Sequence, residues 1–251
     1  MDRPLVSIVM PTHNSGAFLE EAVASVRAQT ITDWELLLVD DASTDGSADL
    51  ARNLQVVDPR IRIFLKAENQ GPAVSRNIAL EHARGRYIAF LDSDDLWRPK
   101  KLERQLALLR CGTARLVYSA YEKVDESGRA TGRVIRVPAR VDYAGLLRAT
   151  VIATSSAMID TERTGPVRMP ELRKRQDYGL WLSLLRDGGH ALAVEEPLMY
   201  LRKRPGSVSS NKISAIYYTW LVYRRCEGLP VGRSLFYMAH YTTRALRKTL
   251  V

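Results

Sequence analysis

Cysteine is scarce: Cys111 and Cys226 are the only two in 251 residues, and they form no CxxC pair. That excludes a disulfide framework and a thiolate zinc site, and it suits a reducing compartment. No run of about 18 apolar residues occurs, so no segment reads as a membrane-spanning helix. The opening Met-Asp-Arg-Pro leads at once into an apolar run. This leaves no room for a signal peptide, and a cytoplasmic setting is the expectation. There is no internal repeat and no low-complexity tract. Acids are almost missing from the last fifty residues, where Glu227 stands against ten Lys or Arg. That segment therefore holds the whole formal charge of +9, while residues 1–201 carry 27 of each sign. Such asymmetry predicts an anionic partner for the C-terminal segment: a membrane surface, a polyphosphate or nucleic acid.

The length suffices for one large α/β domain, or a domain with a small appendage. Hydrophobic content is 46 %, enough for a real core. Apolar runs at Leu5–Met10, Trp34–Val39, Ile61–Leu65, Tyr87–Leu91 and Leu116–Tyr121 read as strands. Between them, apolar residues at helical spacing predict helices over Phe18–Gln29, Ser47–Leu54, Ala73–Ala83 and Pro99–Arg110. Strands alternating with helices predict βαβ units and a mostly parallel sheet. Beyond Val124 the pattern weakens. Asp125–Gly132 reads as a hairpin turn or exposed loop, Ser155–Ile159 as a short strand, and Leu192–Val194 and Leu198–Leu201 as edge strands. Tyr178, Trp181, Leu182 and Leu185 mark one helix face, with Asp177 at its start. Two amphipathic helices are predicted near Ile213–Cys226 and Gly232–Thr249.

The chemistry centres on Arg86–Trp97. There an apolar strand runs into Asp92, Asp94 and Asp95. Clustered acids at a buried strand end are costly unless neutralised. A hard divalent cation, Mg²⁺ or Mn²⁺, suits carboxylate oxygens, although an Asp-rich turn capping the next helix would use the same residues. In open α/β sheets ligands bind outside the carboxyl ends of the strands. Right-handed crossovers bring Pro11–Asn14, Asp40–Asp45 and Asp92–Asp95 to one such edge.

Six motifs in order carry a family resemblance. They are Pro11-Thr12-His13-Asn14, Val39-Asp40-Asp41 through Asp45, Asn69-x-Gly71 through Arg76-Asn77, Asp92-Ser93-Asp94-Asp95, Gln176-Asp177-Tyr178 with Leu180-Trp181-Leu182, and Arg202–Ser209. Over roughly Leu5–Ser210 the chain resembles the family 2 glycosyltransferases. The resemblance implies a GT-A fold, with residues 1–210 catalytic (1–121 the nucleotide-binding half, 122–210 the acceptor half) and 211–251 a basic helical extension. It also implies inverting transfer of a sugar from a nucleotide diphosphate donor, with UDP the expected nucleotide, to a glycan hydroxyl.

Under that resemblance Asp41 reads a ring N–H of the base, which uracil, thymine and guanine carry. Pro11, Thr12, His13, Asn14, Asn69, Gly71, Ser93 and Asp95 line the nucleotide. The family often has Tyr where His13 stands, which puts stacking on the base in doubt. Asp92 and Asp94 hold the metal, with Asp94 the first choice for direct ligation, and Arg76 faces the pyrophosphate. Asp177 is the general base, preceded by Gln176 where many relatives carry a second acid. Arg202 and Arg204 belong to a loop that closes over the donor with Gly206 as hinge; relatives often have His at the Arg204 position.

Three other readings bear on the chain. A metal-dependent nucleotidyltransferase would use a similar crevice, but no Gly-rich loop with Lys follows the first strand. Nucleic-acid binding through the basic tail leaves the three acidic loops unexplained, so no nucleic-acid partner is expected. In the tail itself Tyr217, Tyr218, Trp220, Tyr223, Phe236, Tyr237 and Tyr241 alternate with Arg and Lys. That pattern suits helices lying on an anionic membrane, with a lipid-pyrophosphate-linked acceptor, or helices packed on the catalytic domain with a solvated basic face.

Overall fold

The computed structural model of the chain describes residues 3–204 and 212–250. The predicted hinge at Gly206 and the rest of its loop lie outside the described residues. The first half follows the predicted order: β1 (Val6–Thr12), α1 (Gly16–Arg27), β2 (Trp34–Asp40), α2 (Ser47–Val57), β3 (Ile61–Leu65), α3 (Pro72–His82) and β4 (Tyr87–Phe90). β1, β2 and β4 are buried along their whole length. That is why their sequences are continuous apolar runs rather than alternating ones. Successive side chains still go to opposite faces. Ile8 and Met10 join the cluster containing Leu19 and Val23 of α1, while Val9 joins the cluster containing Ala79 of α3. Covering both faces commits every side chain of these strands, and each fully buried Val, Leu or Ile contributes about 1.5–3 kcal/mol.

β1 pairs in parallel with β2 and β4, and β2 with β3. Thr12 lies opposite Asp40, so the loops after β1 and β2 leave the sheet at one edge. The Asp41 N–H donates to the Thr12 carbonyl at 2.8 Å across that junction.

The second half comprises β5 (Leu96–Trp97), α4 (Lys101–Cys111), β6 (Leu116–Val124), β7 (Ala130–Ile135), β8 (Arg140–Asp142), α5 (Tyr143–Arg148), a 3₁₀ turn (Thr154–Ser156), β9 (Met158–Asp160), α6 (Thr161–Thr164), α7 (Gln176–Leu185), β10 (His190–Arg202), α8 (Lys212–Leu221) and α9 (Val231–Leu250). The sheet runs β3-β2-β1-β4-β9-β6-β10-β5, with β7 beside β6 and β8 beside β10. It is parallel from β3 to β4 and mixed beyond, because β9 enters antiparallel between β4 and β6.

Two local expectations are corrected. The segment read as two edge strands is one 13-residue interior strand, β10, flanked by β6 on one side and by β8 and β5 on the other. The ladder with β6 is irregular on both sides of Pro197, which has no N–H to donate and so broke the pattern in the sequence. The Ser155–Ile159 segment is not a strand throughout; it begins as the 3₁₀ turn, and β9 starts at Met158.

The C-terminal helices pack on the same core. α8 runs into a π-helical turn over Val222–Cys226. Val222, Tyr223, Leu229 and Tyr241 are buried. The Tyr223 hydroxyl donates to the Leu147 carbonyl at 2.6 Å, and Glu227 pairs with Arg186 at 3.0 Å. The opposite faces of these helices are open: Ile213, Tyr217, Leu235 and Phe236 are exposed.

Candidate active site

The edge where β1, β2 and β4 end is stitched together by the loops themselves. Asn14, in a left-handed conformation (φ 48°), accepts from the Thr44 N–H at 2.8 Å, and its own N–H donates to Ser43 Oγ at 2.9 Å. Asp45 accepts from the N–H groups of Gly16 and Ser47, each at 3.0 Å, and Asp40 accepts from the Ser43 N–H at 3.0 Å. Asp40 and Asp45 therefore build the rim. Pro11 and Thr12 are buried at the end of β1, while His13 and Asn69 are exposed on the rim. The Thr12 hydroxyl is buried, with no hydrogen-bond partner among the described residues.

Asp41 is buried, and both its carboxylate oxygens accept hydrogen bonds. Oδ2 accepts from the Gly71 N–H at 2.8 Å; Oδ1 accepts from the Gln70 N–H at 3.0 Å and from the Lys66 ammonium. Gly71 sits at φ 90°, where a side chain would be strained, and this conformation starts α3 and brings Arg76 round to the acids. Asn77, one residue on, does different work. Its amide clamps Met169 through two bonds, at 3.0 and 2.8 Å. Lys66 was not singled out from the sequence, although a Lys directly after β3 stands at the same binding edge.

The three acids after β4 divide their tasks. Asp92 is one-third exposed and pairs with the buried Arg76 guanidinium. Arg76 Nε and Nη1 are buried and have no partner among the described residues. Asp94 pairs through Oδ2 with Arg204 Nε at 2.8 Å. Asp95 points inward. Its Oδ1 accepts from the Arg202 N–H at 3.0 Å and its Oδ2 from Ser155 Oγ at 2.6 Å. Ser93 is buried in the loop between them.

Burial, and then the charges of Asp94 and Asp92, hold the Asp95 carboxyl well above the usual range. Burial and Asp92 also raise Asp94, against Arg204 and Arg202. Arg202, expected in the loop over the donor, has its side chain engaged by the protein itself. Its side chain is enclosed, with Nε on the Asp94 carbonyl (2.9 Å), Nη1 on the Glu126 carbonyl (2.7 Å) and Nη2 on Glu21. It is a strut behind the acidic loop, and Arg204 is the arginine that faces the carboxylates.

For a divalent cation the donor set fits. Asp92 and Asp94 are hard oxygen ligands that crowd negative charge, and both retain some exposure. Mg²⁺ and its kin are commonly held by one or two carboxylates together with substrate phosphates and water. That accords with the lack, among the described residues, of any three-ligand cluster of His, Cys, Asp or Glu.

Asp177 lies in the first turn of α7, after Arg175, which is held in a left-handed conformation (φ 64°). Arg175 Nη2 donates to the Tyr241 hydroxyl at 2.6 Å, so α9 braces this helix start. Asp177 Oδ2 accepts from Thr154 Oγ1 at 2.7 Å. The neighbouring Gln176 is buried, with Oε1 unpartnered.

Residues 7–169 match the model of glycosyl transferase family 2. The chain is 40 % identical over 248 residues to TuaG of Bacillus subtilis, whose name assigns it to teichuronic acid biosynthesis; the match covers 99 % of this chain and 98 % of the relative. It is 33 % identical over 249 residues to WfgD of Escherichia coli, a UDP-Glc:α-D-GlcNAc-diphosphoundecaprenol β-1,3-glucosyltransferase, with 99 % and 96 % covered. Among solved structures, S. aureus TarS residues 1–349 with UDP-GlcNAc superposes with a TM-score of 0.73 at 19 % identity, over 95 % of this chain and 72 % of that one. The mannosyltransferase PcManGT of Pyrobaculum calidifontis, in complex with GDP-Man and Mn²⁺, superposes with a TM-score of 0.64 at 21 % identity, over 88 % and 62 %.

Proposed function

The chain belongs to glycosyltransferase family 2, and on that premise we propose that it transfers a hexosyl or N-acetylhexosaminyl group from a UDP-sugar to a hydroxyl of a glycan. The acceptor is carried on a lipid diphosphate, in assembly of a bacterial surface polysaccharide, and the anomeric centre is inverted. The observation that carries this reading is the division of the site. Asp41 pairs with Lys66 just past the ends of β2 and β3, Arg76 pairs with Asp92 in the acidic loop, and Asp177 on α7 is tied to Thr154, next to the Ser155 that holds that loop.

The residues act as follows. Asp41 and Lys66 present an acceptor and a donor at the pyrimidine end. Arg76 offers Nε and Nη1 to diphosphate oxygens and neutralises charge as the leaving group departs. Asp177 takes the proton from the attacking hydroxyl on the side opposite the leaving group. Arg204 reaches Asp94 across the opening and adds positive charge over the donor. Mn²⁺ or Mg²⁺, held by Asp92 and Asp94, would supply Lewis-acid stabilisation of the departing diphosphate. A nucleotidyltransferase reading finds no observation in its favour.

The lipid-linked acceptor follows from the WfgD name and from the tail. Among the described residues no helix is long and apolar enough to cross a membrane. α8 and α9 nevertheless expose Ile213, Tyr217, Leu235 and Phe236 beside the exposed Arg225 and Arg233. Apolar side chains rimmed by arginine suit peripheral attachment to the anionic cytoplasmic leaflet.

The test is transfer from a panel of UDP-sugars to diphosphoundecaprenol-linked GlcNAc, read by mass spectrometry, for the wild type and Asp177→Asn. The expected result is a transferred hexose for the wild type, and only trace product but intact UDP binding for the variant. An Asp177→Asn enzyme that transfers normally, or that no longer binds UDP, overturns the assignment.

A further inference from the structure

Two adjacent residues between α5 and β9, Thr154 and Ser155, together touch both halves of the site. Thr154 donates its hydroxyl to Asp177 Oδ2 at 2.7 Å. Ser155 Oγ accepts from the Asp92 N–H at 3.0 Å and donates to Asp95 Oδ2 at 2.6 Å, so a single hydroxyl bridges two members of the acidic loop. The same turn is anchored from behind by its carbonyls. Trp97 Nε1 donates to the Ser155 carbonyl at 2.8 Å, and Gln105 Nε2 donates to the Ser156 carbonyl at 2.7 Å. Gln105 in turn is fixed by the buried Lys101 ammonium at 2.7 Å, and that ammonium lies 3.9 Å from the centre of the Trp97 ring.

Apart from Lys101–Gln105 within α4, these bonds join residues 23 to 63 positions apart, and the anchors come from β5 and α4, the elements directly after the acids. Ser155 and Ser156 are buried. Buried hydroxyls in networks of this kind set geometry sharply, because leaving any one member unpaired is costly.

We propose that the Thr154–Ser155 turn is the positioning element of the site: Ser155 fixes the acidic loop at Asp92 and Asp95, Thr154 fixes the Asp177 carboxylate, and their adjacency sets the spacing between the two. This rests on reading Asp177 as the general base. With Oδ2 held by Thr154, the carboxylate cannot rotate freely, and among the described residues no group donates to Oδ1. That oxygen is therefore the one presented to the acceptor hydroxyl. Transfer depends steeply on such placement, since displacement of a reacting group by about 1 Å can cost on the order of 10²-fold in rate.

The residue pair also separates the two halves of catalysis for measurement. Thr154→Val removes the hydroxyl at nearly constant volume and touches only the Asp177 side. Thr154→Ser keeps the hydroxyl. Ser155→Ala loosens only the acidic loop.

The experiment measures kcat and KM for these variants, for Asp177→Asn and for the double variant Thr154→Val/Asp177→Asn. Transfer is read with the UDP-sugar panel and diphosphoundecaprenol-linked GlcNAc. Slow hydrolysis of the same UDP-sugars, with water as acceptor, gives the readout without any glycan. UDP affinity is measured by calorimetry.

Thr154→Val is expected to lower kcat at least about tenfold, with donor KM and UDP affinity within about twofold of wild type. Thr154→Ser should restore most of the rate, and Thr154→Val should add nothing in the Asp177→Asn background. Ser155→Ala should raise donor KM instead. Wild-type kcat in Thr154→Val while Asp177→Asn is inactive overturns the positioning role and leaves the base assignment standing. A Thr154→Val loss that persists undiminished in the Asp177→Asn background also overturns it. Normal turnover by Asp177→Asn removes the base assignment, and this inference with it.

Discussion

Replacing Arg76 with Met should move stability and donor affinity in opposite directions. Arg76 is buried, and of its guanidinium nitrogens only Nη2 meets a partner among the described residues, Asp92. Nε and Nη1 are buried without one. An unpaired buried donor costs about 1–3 kcal/mol, more when charged. Set against that is the lost ion pair with Asp92. Because Asp92 keeps 33 % of its side-chain surface exposed, water can take over its solvation. A pair so exposed is worth on the order of 1 kcal/mol or less.

The balance for the free protein therefore lies between no change and a gain of about 2 kcal/mol. For a chain of this size that corresponds to a melting temperature unchanged or raised by roughly 2–8 °C. In the complex the same two donors meet diphosphate oxygens, and a hydrogen bond to a charged group contributes about 1.5–3 kcal/mol. Arg76→Met should weaken UDP-sugar binding by roughly 10- to 100-fold. Differential scanning fluorimetry of the free protein, and calorimetry with UDP-glucose and Mn²⁺, read the two effects separately. A melting temperature lowered by more than about 5 °C, together with unchanged affinity, would show that Arg76 is a structural strut and refute the reasoning.

Three further expectations follow from other parts of the molecule. Asp94→Ala should lose transfer by at least about 10²-fold, the scale of removing a principal electrostatic stabiliser, and EDTA should abolish wild-type transfer; near-normal turnover in EDTA would remove the metal from the mechanism. Burial alone would raise the Glu35 carboxyl, but the Ser7 hydroxyl, the Arg84 N–H and the Arg84 and Arg62 guanidinium groups outweigh it and hold it below its ordinary value of 4.5. The stability it adds is thus complete above about pH 4.5 and is lost as pH falls through its lower folded value, so Glu35→Gln should flatten the acid limb of a stability–pH curve, and an unaltered limb would contradict the assignment. Finally, Leu235→Ser/Phe236→Ser should reduce co-sedimentation with phosphatidylserine-containing vesicles while leaving UDP binding intact. Deleting the whole segment from α8 through α9 would also strip Tyr223 and Tyr241 from the core, so side-chain replacement is the cleaner perturbation, and equal vesicle binding by both proteins would assign these helices to packing alone.

Much of the fold was legible because its signals are local. Strands buried on both faces are mainly apolar, and helices must repeat every three to four residues, so β1–β4 and α1–α4 declare themselves in the linear pattern. The acids were legible for a related reason. Asp92, Asp94 and Asp95 at the end of an apolar strand conflict with burial unless a ligand or cation resolves the conflict. Asp177 at the start of an amphipathic helix was visible on the same grounds, together with its family motif.

What the chain alone did not determine depends on partners distant in sequence. Asp95 and Asp94 are adjacent and chemically identical, yet one faces Ser155 and the Arg202 N–H while the other faces Arg204. Arg202 and Arg204 carry the same group, but only the first is enclosed by Glu21, Glu126 and the Asp94 carbonyl. Lys66, Thr154 and Ser155 have no periodicity or spacing that marks them. They matter because parallel pairing brings β3 beside β2, and because β9 enters antiparallel after a turn that packs under the acids. Composition and period decide which segments are buried and in what form. Which buried polar atom meets which other is decided only when strand order and register bring segments dozens of residues apart within about 3 Å.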